Sequence, residues 1–514
     1  MDLGSCLARN ARRHPDKWAL TCEGRSYTYA QFNREVNRLA HGLISLGVEK
    51  GQKVALMMKN SDRFAISFFA AAKVGAVLVP VNFRLAGVEV NYILDHSDSI
   101  LVVCDAEYAE LIEEARIGVA GLKHVVVSGE TSTSTQLAFE QLLSDRDEEP
   151  GIEINERDDL EILYTSGTTG RPKGALFDHQ RILQVAVGMM ATMRLSPNDR
   201  LLHLAPLFHS AQLNLFLLAG FFLGASHVIH RDFHPVHALE AIHEHRISFF
   251  FGVPAMYTYL LQVPDRSRYD LSSVTRCGYG AAPMAPEVVR QSMDLFGTDQ
   301  FFNLCGLTEG GPGGICLTPE DHKTKLGASG TAMFNTEARV VDDQDRDVGP
   351  GMIGEFVLRG ETIMKEYYKN PQATVEAMRG GWLHTGDLAM IDEDGYMTLV
   401  DRKKDMIISG GENVYSVEVE QVLYSYPHVL EAAVIGVPHE VWGETVAAVI
   451  VPKQGQLVAL EDLQQFCRGY LAGYKIPRVL YLVEQLPRNA SGKILKYKLR
   501  TDIKASAEKE QASG

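Results

Sequence analysis

The chain has 514 residues, too many for one ordinary core and enough for a large domain plus a smaller one. Its 46% hydrophobic and 22% charged residues match soluble globular averages, which excludes a fibrous or wholly disordered protein. The 65 acidic residues outnumber the 50 basic ones, and the formal net charge of -15 repels nucleic acid and anionic lipid. We therefore expect no nucleic-acid partner, and anionic substrates need local clusters of cations.

The start of the chain and one long uncharged stretch bear on location. The first residues lack the apolar run of a signal peptide, and their charge suits an amphipathic helix. Residues 201–230 contain no Asp, Glu, Lys or Arg, but polar residues interrupt the run, so we expect a buried helix followed by a strand. The seven cysteines form no CxxC pair, which favours a reducing compartment. The sequence predicts a cytoplasmic protein without an integral membrane segment and leaves peripheral membrane contact open.

Apolar runs at 54–58, 76–80 and 101–104 alternate with helical stretches such as 63–73. This alternation is typical of parallel sheet buried on both faces, with ligands at the strand ends. The sequence therefore predicts an α/β fold, with a large layered α/β domain over residues 1–401.

Five consecutive charged residues at 401–405 predict a solvated connection, with the hinge at 402–405. Strand patterns at 432–437 and 446–451, together with amphipathic stretches, predict a small α+β domain over 406–504. The composition of 505–514 predicts a disordered tail.

The most informative stretch is YTSGTTGRPKG at 164–174, which follows a short apolar run. Its glycines let successive N–H groups converge on an anion, its hydroxyls add donors, and Lys173 adds charge. It is not a Walker loop, because Lys173 follows proline and precedes glycine. The plain alternative is a surface turn, but the density of donors favours a loop that binds polyphosphate.

The segment TSGTTGRPKG resembles the signature of the adenylate-forming family of acyl-CoA synthetases, luciferases and nonribosomal peptide adenylation domains. Further motifs of that family follow in order: PLFH at 206–209, GYGAAP at 278–283, CGLTE at 305–309, HTGD at 384–387, DRKKDMIISGGENVYSVEVE from 401 and PRNASGK from 487. The resemblance covers nearly the whole chain. It implies parallel-rich sheets with flanking helices, a small barrel-like subdomain, a small mobile α+β C-terminal domain and homodimerisation.

The resemblance also implies a reaction in which a carboxylic acid attacks the α-phosphorus of ATP, releasing pyrophosphate, before the acyl group passes to coenzyme A and AMP leaves. The ATP-binding residues it implies are Thr165, Ser166, Gly167, Thr168, Thr169, Gly170, Lys173, Gly280, Ala281, Ala282, Cys305, Asp387, Leu399 and Arg402. Asp387 would accept hydrogen bonds from the ribose hydroxyls, and Arg402 would be its partner. Glu309 would hold Mg²⁺.

By the same resemblance the catalytic residues are Lys493, Thr308 and His209, of which Lys493 would bridge the substrate carboxylate and the α-phosphate. Cys305 departs from the pattern, because the family usually has a tyrosine there that stacks on adenine. Lys404 matches the hinge position about which the small domain turns between the two half-reactions. The implied CoA-binding residues are Arg84, Ser409, Gly410, Gly411, Trp442, Tyr474, Lys475 and Arg478, although each charged one could be a solvated surface residue.

The acid is less well specified than the reaction. Phe208-His209 stands where amino-acid-activating relatives have an aspartate after phenylalanine, so the resemblance implies an acid without an α-amino group. Candidates for the acyl pocket are Phe251, Gly252, Met256, Tyr279 and Leu304, residue types that also suit a plain core. We expect a medium- or long-chain fatty acid; the alternatives are an aryl acid of the cinnamate or benzoate type, or a fatty-acid uptake or binding protein with secondary catalysis.

Overall fold

A computed structural model gives the architecture of residues 1–165, 171–488 and 494–503. The predicted loop residues at 166–170, the predicted catalytic Lys493 and the predicted tail at 505–514 lie outside these ranges.

The described residues form helices and strands with the following bounds. The α-helices are α1 (Leu3–Arg13), α2 (Tyr29–Ser45), α3 (Asp62–Lys73), α4 (Gly87–His96), α5 (Ala109–Ala115), α6 (Phe139–Leu142), α7 (His179–Met193), α8 (Ala219–Leu223), α9 (Pro235–His245), α10 (Pro254–Leu261), α11 (Pro286–Phe296), α12 (His322–Lys325), α13 (Pro371–Ala377), α14 (Ser416–Tyr424) and α15 (Leu460–Cys467), and a π-helix spans Ala211–Leu218. The strands are β1 (Trp18–Cys22), β2 (Arg25–Thr28), β3 (Lys53–Met57), β4 (Val77–Pro80), β5 (Ser99–Asp105), β6 (His124–Ser128), β7 (Leu137–Ala138), β8 (Asp159–Thr165), β9 (Lys173–Asp178), β10 (Arg200–His203), β11 (Ser226–Ile229), β12 (Phe249–Gly252), β13 (Arg276–Gly280), β14 (Phe301–Gly306), β15 (Gly314–Leu317), β16 (Thr331–Ala332), β17 (Thr336–Val341), β18 (Ile353–Gly360), β19 (Glu366–Tyr367), β20 (Leu383–Ile391), β21 (Met397–Arg402), β22 (Ile407–Ser409), β23 (Glu412–Val414), β24 (Val429–His439), β25 (Gly443–Pro452) and β26 (Val479–Leu482).

Two large sheets dominate the N-terminal part. One has eight strands in the order β19-β9-β8-β4-β3-β5-β6-β7, and the other has nine in the order β16-β15-β14-β13-β12-β10-β11-β1-β2. The central strands of both sheets are parallel, and antiparallel pairs occur toward their edges, as at β8–β9 and β14–β15. This arrangement confirms the predicted layered α/β domain and aligns the carboxyl ends of β8, β13 and β14 for a ligand site.

A single apolar cluster joins these two sheets. It contains Leu20 of β1, Leu56 of β3, and the aromatic rings of Phe32 on α2, Phe69 on α3 and Phe221 on α8. The ring of Phe221 lies 4.9 Å from those of both Phe32 and Phe69. Because these large rings, carried on three helices, fill the space between the two sheets, the cluster fixes the sheets against each other.

Two smaller sheets follow. Strands β17, β18, β20 and β21 form, in that order, a four-stranded antiparallel sheet. The barrel-like character predicted for a small subdomain stays a prediction. In the C-terminal part, β23-β22-β25-β24 are antiparallel and β26 pairs in parallel with β25. Helices α14 and α15 pack on this sheet through their own apolar cluster, so the predicted α+β character is confirmed.

The opening helix and the first alternating elements agree with the sequence predictions, since α1, β3, α3, β4 and β5 lie where they were expected. The helix followed by a strand predicted for 201–230 is present as the π-helix, α8 and β11, but the prediction missed β10 at the start of the segment. Its four residues lie in the middle of the nine-stranded sheet. An apolar run of a central strand cannot be told from a buried helix by periodicity alone.

The charged run at 401–405 is not solvated throughout. Asp401 is buried, and its Oδ2 accepts hydrogen bonds from the Ser416 backbone N–H at 2.5 Å and the Ser416 hydroxyl at 2.7 Å. Lys403 and Lys404 are exposed. The predicted solvation is therefore wrong at Asp401, which ties β21 to the start of α14, and it holds at the two lysines.

Across the part of the chain that the structure describes, no helix has the length and apolar character needed to cross a membrane.

Candidate active site

The predicted phosphate loop begins and ends on neighbouring antiparallel strands. Thr165 is the last residue of β8, Lys173 is the first of β9, and these two residues pair across the strands. The lysine therefore lies beside the threonine whatever path the intervening residues take. Ser166, Gly167, Thr168, Thr169, Gly170 and Lys493 lie outside the described residues.

Glu309 is a buried carboxylate next to Thr165. It lies in the short 3₁₀ turn after β14, a strand of the nine-stranded sheet. Its Oε1 accepts a hydrogen bond from the Tyr367 hydroxyl at 2.8 Å and one from the Thr165 hydroxyl at 3.3 Å. Both donors are neutral. The Lys173 ammonium lies 4.9 Å from the centre of the Tyr367 ring. Residues from both large sheets thus meet around one carboxylate.

The segment Met364 to Tyr368, which we call the strap, holds this arrangement together. The Met364 N–H donates to the Glu309 carbonyl at 2.8 Å, and β19 within the strap pairs with β9. The Tyr368 N–H donates to the Gly174 carbonyl at 2.8 Å. The strap therefore connects the backbone of Glu309 to β9, the strand that carries Lys173.

Of the predicted catalytic residues, Thr308 contacts Ser210, the residue that follows His209 in the chain. The Ser210 and Thr308 hydroxyls are 3.1 Å apart. The His209 side chain is half-buried, and burial lowers its pKa to about 4. At neutral pH His209 is therefore an uncharged imidazole that can orient a carboxylate but cannot neutralise it.

The π-helix that follows His209 carries a buried polar contact to β8. Asn214 Nδ2 donates to Oε1 of Glu161 at 2.7 Å, and both side chains are fully buried. Glu161 Oε2 and Asn214 Oδ1 have no hydrogen-bond partner among the described residues. Burial raises the pKa of Glu161 to about 8. A proton on Oε2 gives the pair a donor for Asn214 Oδ1, so the neutral acid and the amide can satisfy each other.

The predicted adenine-side residues lie at the ends of β13 and β14. A side chain at Gly280 would meet the Leu304 carbonyl at 2.1 Å, so close packing of the two strands requires glycine there. Ala281 has a φ of 65°, a conformation that non-glycine residues rarely adopt and that clusters at functional sites. Cys305 is half-buried on the same edge of β14.

Asp387 and Arg402 pair across β20 and β21, as the resemblance implied. Asp387 is 9% exposed, and its Oδ1 forms an ion pair with the Arg402 guanidinium at 2.8 Å. Leu399 lies on β21, where its N–H donates to the Ser329 hydroxyl at 3.0 Å. Unlike Glu309, Asp387 has its charge balanced within the protein.

The five acyl-pocket candidates do not share one face. Phe251 and Leu304 belong to the apolar cluster that packs on the π-helix, where the rings of Phe251 and Phe216 stack at 5.0 Å. Met256 and Tyr279 belong to the cluster on the opposite face, and the Tyr279 hydroxyl lies 3.0 Å from His322 Nε2. Gly252 ends β12 beside Tyr279. Side chains alternate along a strand, which separates the two groups.

Three of the CoA candidates meet in the C-terminal part. The Arg478 guanidinium lies 3.6 Å from the centre of the Trp442 ring, and the Gly410 N–H donates to the Trp442 carbonyl at 2.9 Å. Gly410 and Gly411 both have positive φ, and Ser409 is buried. Lys475 forms an ion pair with Glu418 at 2.7 Å and lies 5.7 Å from the Tyr474 ring.

Arg84 lies elsewhere, in the N-terminal part, with its guanidinium over the Phe83 ring at 5.5 Å. Lys404 is exposed and lies just after β21. The structure therefore brings Thr165, Lys173 and Glu309 together, pairs Asp387 with Arg402, and groups Gly410, Trp442 and Arg478. Arg84 belongs to none of these groups.

Sequence reasoning missed two residues. Tyr367 contacts Glu309, 58 positions away along the chain, and no local pattern signals that contact. Glu161 had a signal, because it is a single acid within the apolar run Leu160–Leu163, where a charge would be buried.

Comparison with known proteins bears on the whole chain. Residues 7–368 match the family model described as AMP-binding enzyme, and residues 418–493 match the one described as AMP-binding enzyme C-terminal domain. The chain is 38% identical over 498 residues to a feruloyl-CoA synthase of an Amycolatopsis species, covering 97% of this chain and 98% of the relative. It is 38% identical over 486 residues to a long-chain-fatty-acid–CoA ligase of Mycobacterium tuberculosis, covering 94% of each.

Among solved structures, the chain is similar to an anthranilate CoA ligase in complex with anthranoyl-AMP, with a TM-score of 0.90 and 30% identity over 99% of this chain and 98% of the other. A Mycobacterium tuberculosis fatty acyl CoA synthetase gives a TM-score of 0.79 and 35% identity, covering 98% of this chain and 99% of that one. Aryl-acid and fatty-acid ligases are thus both among the similar proteins.

Proposed function

The chain belongs to the AMP-binding enzyme family and is an AMP-forming acid–CoA ligase, and from that premise we propose how its residues serve the two half-reactions and which acid they take. The observation that carries the proposal is the buried Glu309 carboxylate beside Lys173, held by neutral hydroxyls at the meeting point of the two large sheets. An uncompensated carboxylate and a lysine together suit a polyphosphate with its cation.

Glu309 is a good fit for magnesium. Mg²⁺ prefers oxygen ligands and is usually held by one or two carboxylates together with substrate phosphates. Both hydrogen bonds that the described residues donate to this carboxylate end on Oε1, and Oε2 takes no part in either. When bound, the cation neutralises charge on the phosphates of ATP.

We assign the remaining nucleotide contacts on the basis of the family resemblance. The phosphates would be bound by Thr165, Lys173 and the loop residues at 166–170. Asp387, oriented by Arg402, would accept hydrogen bonds from the ribose hydroxyls. Gly280, Ala281, Ala282, Cys305 and Leu399 would surround the adenosine. Thr308 would contact the α-phosphate, neutral His209 would orient the acid, and Lys493 would bridge the two reacting groups.

We assign the second half-reaction to the C-terminal part, on the basis of the group formed by Gly410, Trp442 and Arg478. The domains would be 1–401 and 406–504, with the hinge at 402–405 and Lys404 within it. Ser409, Gly411, Tyr474 and Lys475 would complete the CoA contacts after the small domain turns, and Arg84 would contribute from the large domain.

The acid we propose is apolar and lacks an α-amino group, since Phe208 is followed by His209 rather than by an acid. A medium- or long-chain fatty acid is the first candidate, supported by the 38% identity to the mycobacterial fatty-acid ligase and by the apolar face of Phe251, Leu304 and Phe216. An aryl acid is the second, supported by the equal identity to feruloyl-CoA synthase and by the stacked Phe216 and Phe251 rings.

The rate of thioester formation from two series of acids, straight-chain and ring-containing, tests this proposal. Straight-chain acids of increasing length and ring acids of the cinnamate and benzoate type are compared by kcat/KM at saturating ATP, Mg²⁺ and CoA, with an amino acid as the negative control. A straight-chain optimum supports the first candidate and a ring-acid optimum the second. A preference for the amino acid would overturn both.

A further inference from the structure

Glu309 depends on one side chain for much of its orientation. Tyr367 donates to Oε1 of Glu309 at 2.8 Å, while the Thr165 hydroxyl reaches the same oxygen at 3.3 Å. The shorter bond comes from a buried phenol on a strand, whose torsional freedom is small. Tyr367 therefore does more than Thr165 to fix the direction of the carboxylate.

The same ring faces the predicted phosphate lysine. The Lys173 ammonium lies 4.9 Å from the centre of the Tyr367 ring, within the range of a cation–π interaction. The strap holds the ring in place, because β19 pairs with β9 and the Tyr367 N–H donates to the Thr374 hydroxyl at 2.9 Å. One side chain thus contacts both a carboxylate and an ammonium that the proposed function assigns to the nucleotide.

We propose that Tyr367 is a positioning residue for ATP activation: its hydroxyl holds Oε1 of Glu309 and so leaves Oε2 for the cation carried by ATP, while its ring supports the Lys173 ammonium. This inference rests on the proposed function of Glu309 and Lys173. It assigns two separate roles to the tyrosine. The hydroxyl affects cation binding through Glu309, and the ring affects phosphate binding through Lys173.

The next residue of the strap provides a matched control. The Tyr368 hydroxyl also donates to a carboxylate, Asp98, at 2.8 Å, and a lysine, Lys53, lies 5.3 Å from its ring. Tyr368 lies in the turn just after β19, and its side chain makes the same kinds of contact with a different carboxylate and a different lysine from those that Tyr367 contacts. Tyr368→Phe therefore removes the same hydroxyl, from the same segment, without touching the site.

The experiment measures the affinity of Mn²⁺·ATP and of metal-free ATP in EDTA by calorimetric titration, without acid or CoA. We expect Tyr367→Phe to weaken Mn²⁺·ATP binding by about 10-fold or more, the usual effect of removing an outer partner of a metal ligand. Its affinity for metal-free ATP should not change, because the ring remains. Tyr367→Leu should weaken binding of both forms, and Tyr368→Phe of neither.

Each outcome decides a separate point. If the unaltered protein binds neither form of ATP, the proposed function fails. If it binds both and Tyr367→Phe retains the full preference for Mn²⁺·ATP, the role of the hydroxyl is overturned, as it is if Tyr368→Phe loses that preference equally. Should Tyr367→Phe not fold, Tyr367→Leu also lacks the hydroxyl, and an unchanged affinity for Mn²⁺·ATP in that variant would contradict the inference.

Discussion

Two buried carboxylates of the candidate site, Glu309 and Asp387, are held in opposite ways. Glu309 accepts hydrogen bonds from the neutral hydroxyls of Tyr367 and Thr165, whereas Asp387 is paired at 2.8 Å with the Arg402 guanidinium. Among the described residues no cationic side chain donates to Glu309, which leaves that role to a bound cation, whereas Asp387 is held by a guanidinium and can accept hydrogen bonds from uncharged groups. Under the proposed function, this difference suits Glu309 to a metal ion and Asp387 to the ribose hydroxyls.

The largest effect is expected when the charge of Glu309 is removed. Glu309→Gln keeps the shape and can still accept from Tyr367, but it loses the charge that attracts the cation. We expect pyrophosphate release to fall by about 10²- to 10³-fold. Initial rates over a range of Mg²⁺ concentrations check this, and a rate within a few-fold of the unaltered enzyme at low Mg²⁺ would contradict the assignment.

The matching change at the other carboxylate should act on the nucleotide and not on the metal. Asp387→Asn leaves Arg402 without its ion pair and replaces one acceptor oxygen with a donor. We expect the KM for ATP to rise by roughly 10- to 100-fold, the value of one or two charge-assisted hydrogen bonds. The Mg²⁺ concentration for half-maximal rate should stay the same; if it shifts as in Glu309→Gln, the two carboxylates do not have separate roles.

A change outside both carboxylates should spare adenylate formation. Arg478→Ala removes the guanidinium that lies over Trp442. We expect the KM for CoA to rise by roughly 5- to 10-fold, as for loss of one charged contact to a phosphate. Exchange of labelled pyrophosphate into ATP should be unchanged. Arg468→Ala, an exposed arginine of the same region, is the control, and a slower exchange in Arg478→Ala would place this arginine in the first half-reaction instead.

A third buried carboxyl group, that of Glu161, differs from both Glu309 and Asp387 because it is protonated at neutral pH. Burial raises the pKa of Glu161 from 4.5 to about 8, so the folded protein keeps a proton that the unfolded chain releases. The stabilisation is fully present below pH 4.5 and is lost as the pH rises toward 8, by roughly 5 kcal/mol at most. We expect Glu161→Gln, whose amide also offers one donor and one acceptor to Asn214, to flatten the unfolding free energy between these values.

Chemical denaturation from pH 5 to 9 measures that effect. Pyrophosphate release at pH 7 should change little in Glu161→Gln, since Glu161 does not contact the proposed ligands. Glu161→Ala, which leaves Asn214 buried without a partner, should be less stable at every pH. A parallel pH dependence in the unaltered protein and in Glu161→Gln would show that Glu161 is charged in the folded state.

The sequence predicted the parts of the site that local motifs carry. Thr165 and Lys173 lie at the two ends of one short loop, and Asp387 and Arg402 each lie within a family motif, so both pairings were predicted from local sequence. The acyl candidates were harder. Phe251 and Tyr279 lie on adjacent strands but on opposite faces, a separation that the two-residue period of a strand would have predicted once the strands were placed.

The role of Tyr367 could not have been predicted from the sequence. Its position depends on the pairing of a two-residue strand with β9, in which Tyr367 lies opposite Ala175, far away along the chain. Nothing in the residues around it distinguishes it from Tyr368. The burial of Asp401 is a similar case, because a run of charges indicates solvent unless the partner, here Ser416, is known.

The phosphorus products of a single turnover test the central claim most directly. The enzyme is mixed with ATP, Mg²⁺ and the best acid of the panel, first without and then with CoA, and the products are identified by ³¹P NMR and mass spectrometry. The account predicts pyrophosphate and an acyl-adenylate in the first sample, and AMP with the acyl-CoA thioester in the second. ADP and inorganic phosphate in either sample, or a thioester formed without pyrophosphate, would contradict it.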